Sequence, residues 1–212
     1  MSSPRSTDWD SYYHSPYRLS GITRYFTNRI LARSIRRNLS SPSSIVELGG
    51  GGSAFHIWLQ HQFNPDRYVI VDNNQAGLDK LRSAAELDKS LVLINHDIVQ
   101  PVPVGSPVGE VVFSVGLIEH FPANLTERAI AVHFDWATPN GLIIITYPTP
   151  TWLYRLSRQI SERMGWWIFH DEAPLKLDRV SQLLQSYGQI LEHRINWFTP
   201  FTQAIVVVRR FK

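Results

Sequence analysis

The stretch Ser44-Ile45-Val46-Glu47-Leu48-Gly49-Gly50-Gly51-Gly52-Ser53-Ala54 runs a short apolar segment into a glycine turn, and a helical pattern follows. Glycines reach positive φ at no steric cost and let backbone approach a ligand closely, and a helix starting beyond them offers free N–H groups. This is the pattern of a nucleotide-cradling turn after a first strand. Gly49, Gly51 and Ala54 also satisfy the dinucleotide pattern G-x-G-x-x-[GA], with Asp72 after the second strand where it would hold a ribose.

Outward from the turn, apolar runs alternate with helical patterns, the signature of βαβ units around a buried parallel sheet. Ser44 to Leu48, Arg67 to Asp72, Leu91 to Asn95, Glu110 to Val115 and Leu142 to Thr146 read as strands. Ala54 to Gln62, Gln75 to Leu87 and Asn124 to Ala137 read as helices, the last with Asn124 and Glu127 in capping-box spacing. An aromatic and basic helical stretch, Trp152 to Met164, follows the fifth strand, and another helix with apolar face Leu177, Val180, Leu184 and Tyr187 ends where Gly188 would supply a left-handed cap. The strands Ile190 to Trp197 and Gln203 to Arg209 are joined by too short a link for a parallel crossover, so an antiparallel hairpin is expected. Ahead of the sheet, Ile22, Phe26 and Ile30 form one stripe and Leu31, Ile35 and Leu39 another, which predicts a bent or broken helix. Its polar side carries Arg29, Arg33, Arg36 and Arg37, either a solvated face or an attraction for substrate anions.

The 212 residues, 43% hydrophobic and 18% charged, suit one folded α/β domain with appendages. The expected division is an arm and basic helix over 1–40, acting as a lid, and a ligand-binding domain over 41–212 with a helical insertion at about 150–174. Seven arginines fall in the first forty residues against Asp8 and Asp10, so the basic excess is local and does not form a nucleic-acid face. The absence of cysteine excludes disulfides, thiolate metal sites and a Cys nucleophile. No apolar run approaches the roughly 18 residues of a membrane span, and Met1 to Asp10 lacks a signal-peptide apolar region, so a cytoplasmic protein is expected.

Three features separate this turn from a pyrophosphate site. Glu47, two residues before the glycines, would repel a pyrophosphate and attract an ammonium group. His96-Asp97-Ile98 ends the third strand with a carboxylate and a backbone N–H suited to adenine, and Ser114-Val115-Gly116-Leu117-Ile118-Glu119-His120 leaves the fourth. With these residues in this order, the chain from Ile45 to Arg209 resembles a class I S-adenosylmethionine-dependent methyltransferase of the small-molecule type. The resemblance implies a Rossmann-like, doubly wound, seven-stranded α/β sheet of order 3-2-1-4-5-7-6 with strand seven antiparallel, and an N-terminal helical lid. S-adenosylmethionine is the implied cofactor. Gly49, Gly50 and Gly51 would run along it, Glu47 would meet its amino group, and Asp72 with Asn73 would hold the ribose. Asp97 and the Ile98 amide would meet adenine, and the backbone at Ser114 and Val115 would line the methionyl part. Ser53 stands where many members have a third glycine, and it can cap the helix there.

The implied reaction is O- or N-methylation of a small molecule, a sugar or a lipid-linked glycan, by a monomer or homodimer, with no nucleic-acid partner and no membrane span. Positive charge is lost in such a transfer, so a dry, aromatic-lined site does most of the work, with a base where the acceptor carries a proton. His120 and His170 are the candidate bases, the first also open to simple local packing, the second with Asp171 beside it to orient the ring. Tyr147, Trp152 and Tyr154, with His170, are candidates for the acceptor pocket, the aromatics also open to a reading as lid core. No His, Asp and Glu group shows helical metal spacing, so no metal is expected. In the aromatic arm Trp9, Tyr12, Tyr13 and Tyr17, one tyrosine, taken as Tyr13, would reach the cofactor as the arm closes. Glu47 and Asp97 disfavour an NAD-dependent oxidoreductase, and the intact glycine turn disfavours a non-catalytic binding module.

Overall fold

The computed structural model describes residues 7–14 and 20–212. Tyr17 lies outside these residues, as does the side chain of Ile22. The elements run α1 (Trp9–His14), α2 (Ser20–Asn38), β1 (Ser44–Leu48), α3 (His56–Phe63), β2 (Arg67–Asp72), α4 (Gln75–Asp79), α5 (Arg82–Leu87), β3 (Leu91–Asn95) and β4 (Gly109–Val115). After a 3₁₀ turn at Ile118–His120 come α6 (Ala123–Asp135), β5 (Ala137–Pro148), α7 (Trp152–Arg163), α8 (Leu177–Leu184), β6 (Gly188–Asn196) and β7 (Gln203–Arg210). The strands form one sheet of order β3-β2-β1-β4-β5-β7-β6. Its first five strands are parallel, and β7 runs antiparallel to both β5 and β6.

Strand side chains alternate between two faces, which divides the core. Val46, Leu48, Val112, Ile143 and Ile145 face α6 and α8 on one side. Ile45, Ile70, Val111, Phe113, Leu142 and Ile144 face α2 and α3 on the other, where Leu31, Ile35 and Leu59 are fully buried. Helices on both faces leave the strands' carboxyl edge as the open side. Among the described residues, no helix is long and apolar enough to cross a membrane.

Several local expectations are corrected. The N-terminal stripes belong to one unbroken helix, because Leu31 and Ile35 bury against the sheet while Phe26 stacks on Phe198 at 5.7 Å. Its arginine face is solvated and engaged locally, with Arg29 donating to Tyr25 and Arg37 3.6 Å from Glu192. The helix expected over 75–87 breaks into α4 and α5, α4 being capped by the Asn74 side chain, which accepts from the Gly77 N–H at 2.7 Å. At α6 the cap position is Pro122, without a side-chain hydrogen bond, so no capping box forms. Strand β5 begins five residues early, as Ala137 pairs with Gly109 before Asn140 bends the chain at φ 61°. Gly188 caps no helix. It opens β6 opposite Arg210, where a β-carbon would lie 2.3 Å from the Arg209 carbonyl oxygen.

Because α2 is a layer of the core, Ile35→Ala should cost about 2–5 kcal/mol of stability, as large-to-small core changes do. Denaturant unfolding measures this, and a loss below about 0.5 kcal/mol, the surface value, would mean that α2 only rests on the sheet.

Candidate active site

At the carboxyl edge of the sheet lies a cavity of about 520 Å³. The glycine turn forms its floor, with Gly49 at φ 70° and Gly52 at φ 61°. Asp72, 6% exposed at the end of β2, clamps the turn: Oδ2 accepts the Gly51 N–H at 2.7 Å and Oδ1 the Asn74 N–H at 2.7 Å. Burial pushes the Asp72 carboxyl up, against these hydrogen bonds. A β-carbon at Gly51 would lie 2.6 Å from the Tyr13 hydroxyl and 2.9 Å from Asp72 Oδ2, so the cradle admits only glycine there.

Glu47 is 3% exposed at the turn's base and accepts from the Ser53 hydroxyl at 2.7 Å and the Tyr68 hydroxyl at 2.8 Å. Burial pushes its carboxyl up to about 7, although both hydrogen bonds and their donors favour the ionised form. Ser53 Oγ also accepts the Phe55 and His56 N–H groups at 3.1 Å each, which ties the turn to the start of α3, although the cap position itself is Phe55, without a side-chain hydrogen bond. Asn73, Asp97, Ile98 and Val115 complete this half of the cavity. The Asp97 carboxylate is partly used in its own loop, accepting the Val99 N–H at 3.2 Å.

Helix α1 covers the opening. The Tyr13 hydroxyl lies 3.4 Å from Asp72 Oδ2, and burial together with that carboxylate drives the phenol's pKa far up, keeping it a donor. Trp9 sets its ring edge-on to His120 with centroids 4.9 Å apart, and the Thr7 hydroxyl donates to Asp171. The opposite half of the cavity holds a dense ionisable group. His120 Nδ1 lies 3.1 Å from Asp171 Oδ1, and Nε2 lies 4.0 Å from Glu119 Oε1. Burial opposes charge on His120, but Asp171, Glu119 and Glu172 outweigh it and raise the imidazole. Asp171 is held down at about 2, since the His120 and Thr7 hydrogen bonds overcome its burial. Glu172 accepts from Tyr154 and sits 3.8 Å from Arg158. Ligand-capable atoms of Glu119, His120 and Glu172 lie within 4.8 Å of one another, a grouping contributed by two segments some fifty residues apart and so invisible to helical spacing.

Four expected site residues do not line this cavity. His170 is exposed and points away, and the carboxylate expected to orient it, Asp171, orients His120 instead. Tyr147 is fully buried in the core, and Trp152 is 70% exposed on the outer face of α7. Ser114 is fully buried, its hydroxyl 2.8 Å from His133 Nε2, so only its neighbour Val115 reaches the cavity. This half of the cavity is walled by Trp9, Trp167, Phe169 and Phe201, and of the expected aromatics Tyr154 lines it, with Glu172 beside it. Sequence reasoning passed over Glu119 and Glu172 as acid or ligand groups. The one available signal was that each stands beside a polar neighbour singled out for chemistry, His120 and Asp171.

No protein-family model matches the chain, and no curated protein matches its sequence. Solved structures do. It superposes on the 1,6-didemethyltoxoflavin-N1-methyltransferase of Burkholderia thailandensis, bound to its namesake molecule and S-adenosylhomocysteine, at TM-score 0.73 and 11% identity over 100% of this chain and 94% of that one. The magnesium protoporphyrin IX methyltransferase of Synechocystis PCC 6803 with S-adenosylhomocysteine gives TM-score 0.70 and 12% identity over 89% and 83%. The N-methyltransferase NodS of Bradyrhizobium japonicum WM9, also with S-adenosylhomocysteine, gives 0.65 and 13% over 87% of each chain. With strand order, the antiparallel seventh strand and these superpositions in agreement, the chain has the fold of class I S-adenosylmethionine-dependent methyltransferases.

Proposed function

We propose that this protein transfers a methyl group from S-adenosylmethionine to a small-molecule acceptor, with His120 taking the acceptor's proton and Asp171 positioning the imidazole. The observation that carries this reading is the His120–Asp171 contact of 3.1 Å, which shares one cavity with an intact glycine cradle and Asp72. The cradle suits a nucleoside: a β-carbon at Gly51 would strike the Tyr13 hydroxyl and Asp72 Oδ2, so glycine lets the turn pack this closely, and Asp72 and Asn73 are the residues assigned to the ribose in this reading. Glu47 offers a buried carboxylate to the amino group and would repel the pyrophosphate of a dinucleotide. Bound there, S-adenosylmethionine supplies an electrophilic methyl whose sulfonium charge disappears on transfer, a change that a water-poor site favours.

Within this reading the residues divide the labour. Nδ1–H of His120 donates to Asp171, which fixes the tautomer and leaves Nε2 free to accept a proton. Trp9, Phe169 and Trp167 exclude water. Helix α1 serves as the lid, because its tyrosine rests on Asp72 and the glycine turn while its tryptophan rests on the base, so one short helix spans both halves of the cavity. Helix α2, buried in the core, is not part of that movable cover.

Calorimetry with S-adenosylhomocysteine tests the cradle. Gly51→Val should abolish binding while the circular dichroism of the fold persists, and wild-type affinity should weaken as pH falls below about 7, where Glu47 takes up a proton. Undiminished binding by the variant removes the cofactor assignment.

The base is tested by pH. Since Asp171 helps raise His120 above its usual 6.5, the neutral imidazole accumulates only above that elevated value, and turnover should climb through it. Asp171→Asn should shift this limb toward lower pH and lower kcat by about tenfold to a hundredfold, part of what general-base catalysis supplies. An unmoved limb excludes His120 as the titrating base.

For the lid, trypsin cleavage after Arg18, the first basic residue after α1 in the sequence, should slow when S-adenosylhomocysteine is bound. Deletion of residues 1–18 should weaken both cofactor binding and turnover, and retention of both would leave α1 without that role.

A further inference from the structure

The acceptor half of the cavity holds more acid than its own cations can neutralise. Glu119, Asp171 and Glu172 converge on it, and the positive partners among the described residues are His120 and Arg158. Both are already committed. Arg158 donates to Glu162 at 2.8 Å and to the Glu172 carbonyl at 3.0 Å, and lies 3.8 Å from the Glu172 carboxylate. His120 gives Nδ1 to Asp171. Glu119 is left over: it is 2% exposed, lines the cavity, and its Oε2 has no hydrogen-bond partner. A buried carboxylate oxygen without a donor is costly, and folds retain such groups where a ligand completes them.

We propose that Glu119 anchors a protonated primary or secondary alkylamine, so that the acceptor is an amine that enters as its ammonium form. The proposal rests on the methyl-transfer reading above and names its substrate class. Three features of the surroundings suit that cation. Its N–H groups find Glu119 Oε2 and the free Nε2 of His120, which lies 4.0 Å from Glu119 Oε1. Its alkyl part meets the aromatic wall of Trp9, Tyr12 and Phe169, whose ring faces attract cations. A divalent metal is less well served by the same group, because Glu172 already accepts from Tyr154 and the fixed Arg158 charge stands beside it. His120 is placed to take the proton that the ammonium must lose before its nitrogen can act as a nucleophile.

Binding should also displace a proton. Burial holds the Glu119 carboxyl protonated up to about 8, His120 opposing and Glu172 and Asp171 reinforcing; Tyr147 lies behind it, with Asp178 beyond. As the ammonium docks, Glu119 ionises and its proton leaves to solvent, so affinity rises with pH until the free amine itself deprotonates.

Calorimetry on the full chain saturated with S-adenosylhomocysteine tests this with phenethylamine against phenethyl alcohol, a neutral ligand of the same shape. Near pH 8 the amine should bind at least about tenfold more tightly, the scale of one buried charge-assisted hydrogen bond. At neutral pH about one proton should be released, read from the difference in heat between phosphate and Tris buffers. Glu119→Gln should bring the two ligands to within about twofold and remove the proton release, with the affinity for S-adenosylhomocysteine unchanged. Should that variant fail to fold, the wild-type affinity ratio and proton count decide. Equal affinities in the wild type, or an undiminished preference in Glu119→Gln, overturn the inference. Binding of manganese that Glu119→Gln abolishes overturns it too, in favour of a metal site. If S-adenosylhomocysteine does not bind at all, the methyl-transfer reading falls, and the amine and alcohol comparison on the free protein still decides this one.

Discussion

The contact on which the remaining geometry depends is the hydrogen bond from the Gly51 N–H to Asp72. It links the turn after β1 to the end of β2, so the two central strands present a closed floor instead of two loose ends. Helix α3 then starts in a defined place, because Ser53, in the same turn, accepts the His56 N–H at its first residue while donating to Glu47. Asp72 in turn carries Tyr13, and through α1 the cofactor half of the cavity is coupled to the ionisable group around His120. Loss of the clamp would therefore be felt on both sides of the opening.

The site is assembled from groups that the fold holds at an energetic disadvantage. Glu47, Asp72, Glu119 and Glu172 are all buried and pushed toward their neutral forms by desolvation, and His133 beneath β4 is pushed down to about 4 by the same effect. His133 spends its nitrogens on Ser114 and on backbone carbonyls, and it is a structural residue. The four carboxylates differ because they line a cavity, and perturbed carboxylates gathered in a cleft are the physical mark of a binding site. Asp171 runs the other way, held ionised at about 2, and it is the group that gives His120 its orientation.

Such a site needs rigid support, and the sheet supplies it. Two apolar layers cover β1, β2, β4, β5 and β7 completely, so the strand ends cannot drift relative to one another. Attached from outside that core are α1 and the segment between α7 and α8 that carries Trp167, Phe169, Asp171 and Glu172. His120 and the carboxylate that contacts it therefore stand on different segments, His120 at the edge of the sheet and Asp171 on the insertion.

The sequence by itself determined the sheet and its cofactor edge. Strand periodicity, the glycine turn, Glu47, Asp72 and Asp97 are local signals, each tied to its neighbours by backbone geometry, and β1, β2 and β3 fall on the residues the sequence predicts. Tertiary structure alone decided the half of the cavity around His120. His170 and His120 are both candidate bases in one dimension, and Asp171 is adjacent only to the first. The chain reversal after α7 turns His170 to solvent and brings Asp171 across 51 residues to His120. In the same way Tyr147 followed a strand into the core and Trp152 followed a helix to its outer face, because burial is set by which layer packs on a residue. Contacts between distant segments carry no periodicity, so nothing in the order of residues announced that Glu119, His120 and Glu172 would meet.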